Sequence, residues 1–81
     1  MELHNLLLRF SNEFEIDFPE NAEETMPAVK DVRDYVRHKI ASQGIECSSG
    51  MVFDRMRALM AIVLRLDAST IRPETRFADV L

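Results

Sequence analysis

The organisation of this chain follows from residues 14–24, which read FEIDFPENAEE. Apolar and acidic residues alternate up to Phe18, and Pro19 then ends the preceding element, because its ring fixes φ and removes an N–H donor. A new helical period of apolar residues starts from Pro27. The stretch therefore predicts a joint between two helices.

Apolar residues recur at steps of three and four on both sides of this joint, which is typical of amphipathic helices. The spacing predicts one helix from Met1 to about Phe14 and another from Pro27, placed in the first turn, to about Ile40. Between them, residues 19–26 have room for one or two helical turns. Leu8 lies off the apolar stripe of the first helix, so it is either at the edge of the core or part of an exposed contact.

The second half of the chain predicts a linker, a third long helix and an anchored loop. Residues 41–50 lose the helical period and contain both glycines of the chain. The period returns over residues 51–66, where Ile62 widens the apolar stripe. Residues 67–77 are expected to form a loop held to the core by two apolar side chains, Ile71 and Phe77.

Length and charge restrict the class of protein. A chain of 81 residues with 47% apolar residues suits one domain with one modest core. The net charge is -4 and no basic stripe is present, so nucleic acid is not an expected partner. A mildly acidic domain is better suited to a protein partner with a basic patch.

The sequence shows no pattern of an enzyme or of a metal site. Asp17, Glu20, Glu23 and Glu24 cluster, but on a turn that is expected to be exposed, whereas acid–base catalysis needs groups that converge in a cleft. The single cysteine, Cys47, cannot form an internal disulfide, which indicates a reducing compartment. With no apolar run of about 20 residues, a cytoplasmic protein without a membrane contact is expected.

Both halves of the sequence resemble acyl carrier proteins. Residues 14–36 contain F-x-I-x-F-P, an acidic turn and V-x-D-V-x-D-Y-V, which is how that family runs from its second helix, through a short third, into its fourth. Residues 51–81 look like the family's first helix and long loop, with the pattern I-x-P-x-x-x-F-x-x-x-L from Ile71 to Leu81. The resemblance implies an all-α, four-helix bundle of three main helices and one short one, in circularly permuted order.

The resemblance also concerns the cofactor of the family, 4'-phosphopantetheine. Carrier proteins attach it to a serine that would fall between the two halves, flanked here by Leu81 and Met1. No residue of this chain inherits that role, so no cofactor is expected on the chain as it stands. Ser48 and Ser49 lie in the linker and lack the flanking Asp and Leu of the family motif.

The family also indicates where a partner would bind. Its second helix carries acidic residues that pair with basic patches on carrier-dependent synthases and transferases. Here Glu2 is retained, whereas Asn5 and Arg9 occupy positions that are often acidic. The predicted partner-binding residues are those of the first helix and the acidic turn: Met1, Glu2, Asn5, Arg9, Glu20, Glu23 and Glu24.

The resulting interpretation is one domain over residues 1–81. Residues 1–40 resemble family helices two to four, residues 41–50 form the linker, and residues 51–81 resemble the first helix and its loop. The expected function is that of a non-catalytic, carrier-derived contact module of fatty acid or polyketide biosynthesis. The alternative is a helical interaction or regulatory module unrelated to acyl carriage, either monomeric or a helix-swapped dimer.

Three methionines on the last predicted helix allow two interpretations. Met51, Met56 and Met60 are spaced to face the interior. In the carrier interpretation they line an apolar space that shelters an acyl chain, since the flexible Met side chain suits a space that opens and closes. Otherwise they simply fill the core.

Overall fold

The computed structural model describes residues 2–46 and 48–81, whose regular structure is helical. Five α-helices and a 3-10 turn follow one another in this described part: α1 (Leu3–Phe14), α2 (Ala22–Thr25), α3 (Val29–Ser42), α4 (Ser49–Leu64), the 3-10 turn (Ala68–Thr70) and α5 (Phe77–Val80). The predicted all-α class with three main helices and a short acidic one is confirmed. The 3-10 turn and α5 are further elements within and after the predicted loop.

Helix α1 buries one face, and the chain reverses its direction directly after the helix. Leu6, Leu7 and Phe10 of this helix are buried, as the apolar spacing predicts. The helix ends at Phe14, and the next residue, Glu15, is its C-cap and adopts a left-handed conformation with φ 55°. The N–H of Ile16 then donates to the carbonyl of Ser11 at 3.2 Å. The following residues therefore turn back along the helix that they have just left.

Helix α2 is only four residues long, and packing must supply its stability, because an isolated helix of this length does not persist in water. Ala22 on this helix and Met26 directly after it are both buried. Glu23 and Glu24 occupy its first turn, where negative charge is favoured by the helix dipole.

The start of α3 is tied to the C-terminal segment by backbone hydrogen bonds. The Val29 N–H donates to the Thr75 carbonyl at 2.9 Å, and the Phe77 N–H donates to the Pro27 carbonyl at 2.9 Å. Ala28 is therefore extended, and it forms an isolated antiparallel bridge with Arg76. The prediction that Pro27 lies in the first turn of the helix was wrong, since this pairing holds the backbone out of the helix up to Ala28.

The connection between α3 and α4 is shorter than predicted. Helix α3 continues to Ser42, and α4 begins at Ser49 instead of near residue 51. Gly44 has φ +82°, a conformation that glycine adopts without strain. Ser48 then caps α4, since its Oγ accepts a hydrogen bond from the Met51 N–H at 3.1 Å.

Helix α4 packs against α3 and faces the core through Val52, Met56 and Met60. The predicted core stripe is wrong at two positions of this helix. Met51 is 63% exposed, so it does not line the interior, and Ile62 is 78% exposed on the same outer side. Helix α4 ends at Leu64, and its C-cap, Arg65, is a second left-handed residue, with φ 56°.

The C-terminal segment returns to the core through two side chains. Ile71 and Phe77 are buried, which confirms the predicted anchoring of this loop. Before them, the carboxylate of Asp67 accepts hydrogen bonds from the backbone N–H of Ser69 at 3.0 Å and from its hydroxyl at 2.8 Å. The described helices include none with the length and hydropathy to cross a lipid bilayer.

Candidate functional site

A groove lies between α1 and residues 16–23, which run antiparallel beside this helix. At one end the Ser11 hydroxyl donates to the Ile16 carbonyl, and at the other His4 Nδ1 lies 3.5 Å from Glu23 Oε1. The space has a volume of about 340 Å³. Its lining comes from both sides and consists of His4, Leu7, Leu8, Ser11, Asp17, Phe18, Pro19, Glu20, Ala22 and Glu23.

Residues 17 and 18 of this groove are also held by α3. The ring of Phe18 stacks on that of Tyr35, with centroids 5.3 Å apart and planes inclined by 28°. The Tyr35 hydroxyl donates to the Asp17 carbonyl at 3.0 Å. Residues 16–24, which we call the acidic segment, therefore contact both α1 and α3.

The structure places the predicted partner-binding residues of the acidic segment beside this groove. Glu20 and Glu23 line it, while Glu24 is exposed on α2 outside the lining. All three side chains are accessible to a partner. The structure thus brings two of the three carboxylates together at one groove.

The predicted residues of the first helix lie elsewhere on its surface. Asn5 and Arg9 are exposed one turn apart, and neither lines the groove. Glu2 is exposed at the N-cap, where its carbonyl accepts from the Asn5 and Leu6 N–H groups. Leu81, the predicted flanking position, is 40% exposed, and Met1 lies outside the described residues.

Of the ten residues that line the groove, the sequence predicted only Glu20 and Glu23 as partner-binding; the unassigned residues include Leu8, Asp17 and Phe18. Leu8 is 50% exposed, so of the two placements open from the sequence it takes the accessible one. Its position off the apolar stripe was the available signal. For Phe18 no such signal existed, because its role depends on a stacking partner, Tyr35, that is distant in sequence.

The other chemical candidates do not form a site with this groove. Ser48 is engaged as the cap of α4, and Ser49 is the first residue of that helix. His38 lies in a separate shallow depression beside the start of α4, and Cys47 lies outside the described residues. In residues 2–46 and 48–81 no three His, Asp or Glu side chains are grouped to hold a metal ion.

One carboxyl group has a perturbed acidity, and it lies away from the groove. The hydrogen bonds from the backbone N–H and the hydroxyl of Ser69 stabilise the charged form of Asp67 and lower the pKa of this carboxyl. Asp67 is exposed and directly precedes the 3-10 turn. Its perturbation is explained by capping of that turn.

The first turn of α1 and the start of α5 both contact the short stretch from Glu23 to Pro27. His4 contacts Glu23, and the backbone of Phe77 contacts Pro27. Glu23 and Pro27 are four residues apart, which even a fully extended chain spans in about 14 Å. The connection to α4 follows the opposite end of α3, and 14 helical residues place it about 21 Å away.

Comparison with protein family models, with characterised proteins and with solved structures gives no match for this chain. The resemblance to acyl carrier proteins therefore depends on the motifs in residues 14–36 and 51–81.

Proposed function

We propose that this chain is a non-catalytic, acyl-carrier-protein-like domain in permuted order that acts through protein contact. Residues 1–81 hold no serine in the position that carries phosphopantetheine in the family, so these residues by themselves would offer no attachment point for it. Its partner would be a protein with a basic patch, such as a carrier-dependent synthase or transferase, in fatty acid or polyketide biosynthesis.

The observation that supports this proposal most strongly is the placement of the acidic segment. In the family a short third helix lies between the second and the fourth, which correspond here to α1 and α3. The Glu23–His4 contact joins the acidic segment to α1, and the stacked rings of Phe18 and Tyr35 join it to α3. This placement of the short segment is the one that the family resemblance predicts.

The positions of the helix ends also support the permuted order. If residues 51–81 correspond to the part that precedes α1 in the family, α5 must end near the start of α1. In support of this, α1 and α5 both contact residues 23–27, where α2 leads into α3. The 43–48 connection then replaces the family's termini at the other end.

Priming by a transferase tests the carrier part of the proposal. The protein is incubated with coenzyme A and a promiscuous phosphopantetheinyl transferase, beside a conventional acyl carrier protein as the positive control. Intact mass spectrometry should show no added phosphopantetheine on this chain. Added mass that disappears in Ser48→Ala or Ser49→Ala would overturn the proposal.

Charge reversal tests the contact part. Binding to a carrier-dependent synthase with a basic patch is measured by calorimetry for a variant with Glu20, Glu23 and Glu24 changed to Lys. In the control variant, three other exposed acidic residues, Asp34, Glu46 and Asp54, are each changed to Lys. The two variants then have the same net charge. Only the first variant should lose affinity, and an equal loss in both would contradict a defined contact surface.

One observation favours the alternative function, a helical interaction module unrelated to acyl carriage. Leu8 exposes half of its side chain in the middle of α1, where a second copy could cover it. Such a module would dimerise through Leu8 or by exchange of α4. Sedimentation velocity over a range of concentrations distinguishes these dimers from a monomer. The substitution Leu8→Ser should dissociate the dimer that forms through Leu8, but not the dimer that forms by exchange of α4.

A further inference from the structure

We propose that the groove between α1 and residues 16–23 binds one large apolar side chain of a partner segment that has Lys or Arg on both sides of it. This inference rests on the proposed contact function and adds the chemistry of the partner. It assigns binding roles to Leu8, Asp17 and Phe18.

The interior of the groove is apolar. Leu7 and Ala22 are buried beneath it, and Leu8, Phe18 and Pro19 contribute accessible apolar surface. The volume of about 340 Å³ is at the small end of ligand pockets, which start at roughly 300 Å³. It suits one inserted side chain and its adjoining backbone. Burying that side chain removes apolar surface from water on both partners.

The rim of the groove carries an excess of negative charge. The carboxylates of Asp17, Glu20 and Glu23 border it, and His4 is the one basic side chain among the described lining residues. An apolar side chain flanked by Lys or Arg complements this rim, whereas an acidic segment is repelled. The charge pattern therefore favours a basic protein segment over a second copy of this acidic chain.

The walls of the groove are fixed before a partner arrives. Phe18 is stacked on Tyr35, and the Asp17 carbonyl is held by the Tyr35 hydroxyl. The Ser11–Ile16 hydrogen bond holds one end of the segment to α1. A site held in this way needs little further ordering on binding, so more of the contact energy appears as affinity.

The test uses two synthetic peptides of nine residues and equal charge. The first has a central Leu with two Lys on each side and Gly or Ser elsewhere, and the second replaces the Leu by Ser. Titrations followed by amide chemical shifts should place the first peptide at residues 4, 8, 18 and 23. The Ser peptide should bind about tenfold more weakly, because it lacks the buried side chain.

Two variants locate the binding. Leu8→Ser removes accessible apolar surface from the groove, and Ile62→Ser removes a more exposed apolar side chain from α4. The Leu peptide should lose about tenfold in affinity for the first variant and none for the second. Shifts centred on α4, or an equal loss in both variants, overturn the inference.

The outcomes separate this inference from the proposed function. Equal binding of both peptides at the acidic residues overturns the apolar anchor and leaves the acidic contact intact. Phosphopantetheine transfer to Ser48 or Ser49 overturns the carrier proposal, whatever the peptides do. A fall in sedimentation coefficient on Leu8→Ser would show that a second copy occupies the groove, and it also overturns the inference.

Discussion

His4 Nδ1 lies 3.5 Å from Glu23 Oε1, so the first turn of α1 meets the first turn of α2 although 19 positions separate the two residues. Both side chains are exposed, and such a pair contributes at most about 1 kcal/mol. Its importance is positional, because it closes one end of the groove. The firmer attachment of the acidic segment comes from residues 17 and 18.

Tyr35→Phe should loosen this segment without unfolding the domain. The substitution keeps the ring that stacks on Phe18 and removes the hydrogen bond to the Asp17 carbonyl. We expect a loss of about 1 kcal/mol in the free energy of unfolding and faster amide exchange over residues 16–19. Ser42→Ala removes a similar hydrogen bond at the end of α3, to the Lys39 carbonyl, and should leave exchange of residues 16–19 unchanged.

Met56 and Met51 form a matched pair on α4. Met56 is fully buried, so Met56→Ala leaves a cavity and should lower the free energy of unfolding by about 2–5 kcal/mol. Met51 is mostly exposed, and Met51→Ala should change it by less than about 0.5 kcal/mol. Urea denaturation followed by circular dichroism measures both. A large loss for Met51→Ala would place this side chain in the core after all.

Ser48→Ala tests the start of α4. The substitution removes the oxygen that accepts from the Met51 N–H, and loss of such a cap costs about 1 kcal/mol. Ser49→Ala is the control, because Ser49 is the first helical residue and not the N-cap. Thermal unfolding should show a lower Tm only for the first variant. Equal shifts would mean that the helix begins elsewhere.

The lowered pKa of Asp67 leads us to expect that the stability of the fold depends on pH. Because the folded pKa is lower than the unfolded one, the charged carboxylate stabilises the fold above the unfolded pKa of about 3.8, and this contribution is lost as the pH falls through the folded pKa. Asp67→Asn should therefore be less stable than the wild type at pH 7. The difference should vanish in strong acid, and a difference that persists there would contradict the capping account.

The sequence predicts those parts of the fold that depend on local periodicity. The buried face of α1 follows from the spacing of Leu6, Leu7 and Phe10, and Ile71 and Phe77 are isolated apolar residues that only the core can cover. The prediction that Ile62 belongs to the core-facing stripe was wrong. Residues 59–64 are all apolar, so their pattern does not show which side of α4 lacks a neighbour.

The groove and the helix boundaries depend on contacts between distant residues. Pro27 is held outside α3 by its pairing with Phe77, and Phe18 is positioned by Tyr35. The pattern of neighbouring residues in the sequence does not reveal either of these partners. The carboxylates at residues 20 and 23 were predicted as exposed, but the apolar floor between them and α1 appears only once the chain folds back.

The C-caps of α1 and α4, Glu15 and Arg65, are two positions at which the protein can be made more thermostable. Both residues hold positive φ values that side chains with a Cβ adopt at a cost of roughly 1 kcal/mol or more, whereas glycine adopts them freely. Glycine at either position would relieve that torsional penalty, partly offset by the greater freedom of the unfolded chain. The domain therefore has two positions at which glycine would raise its thermostability, and neither of these side chains lines the groove.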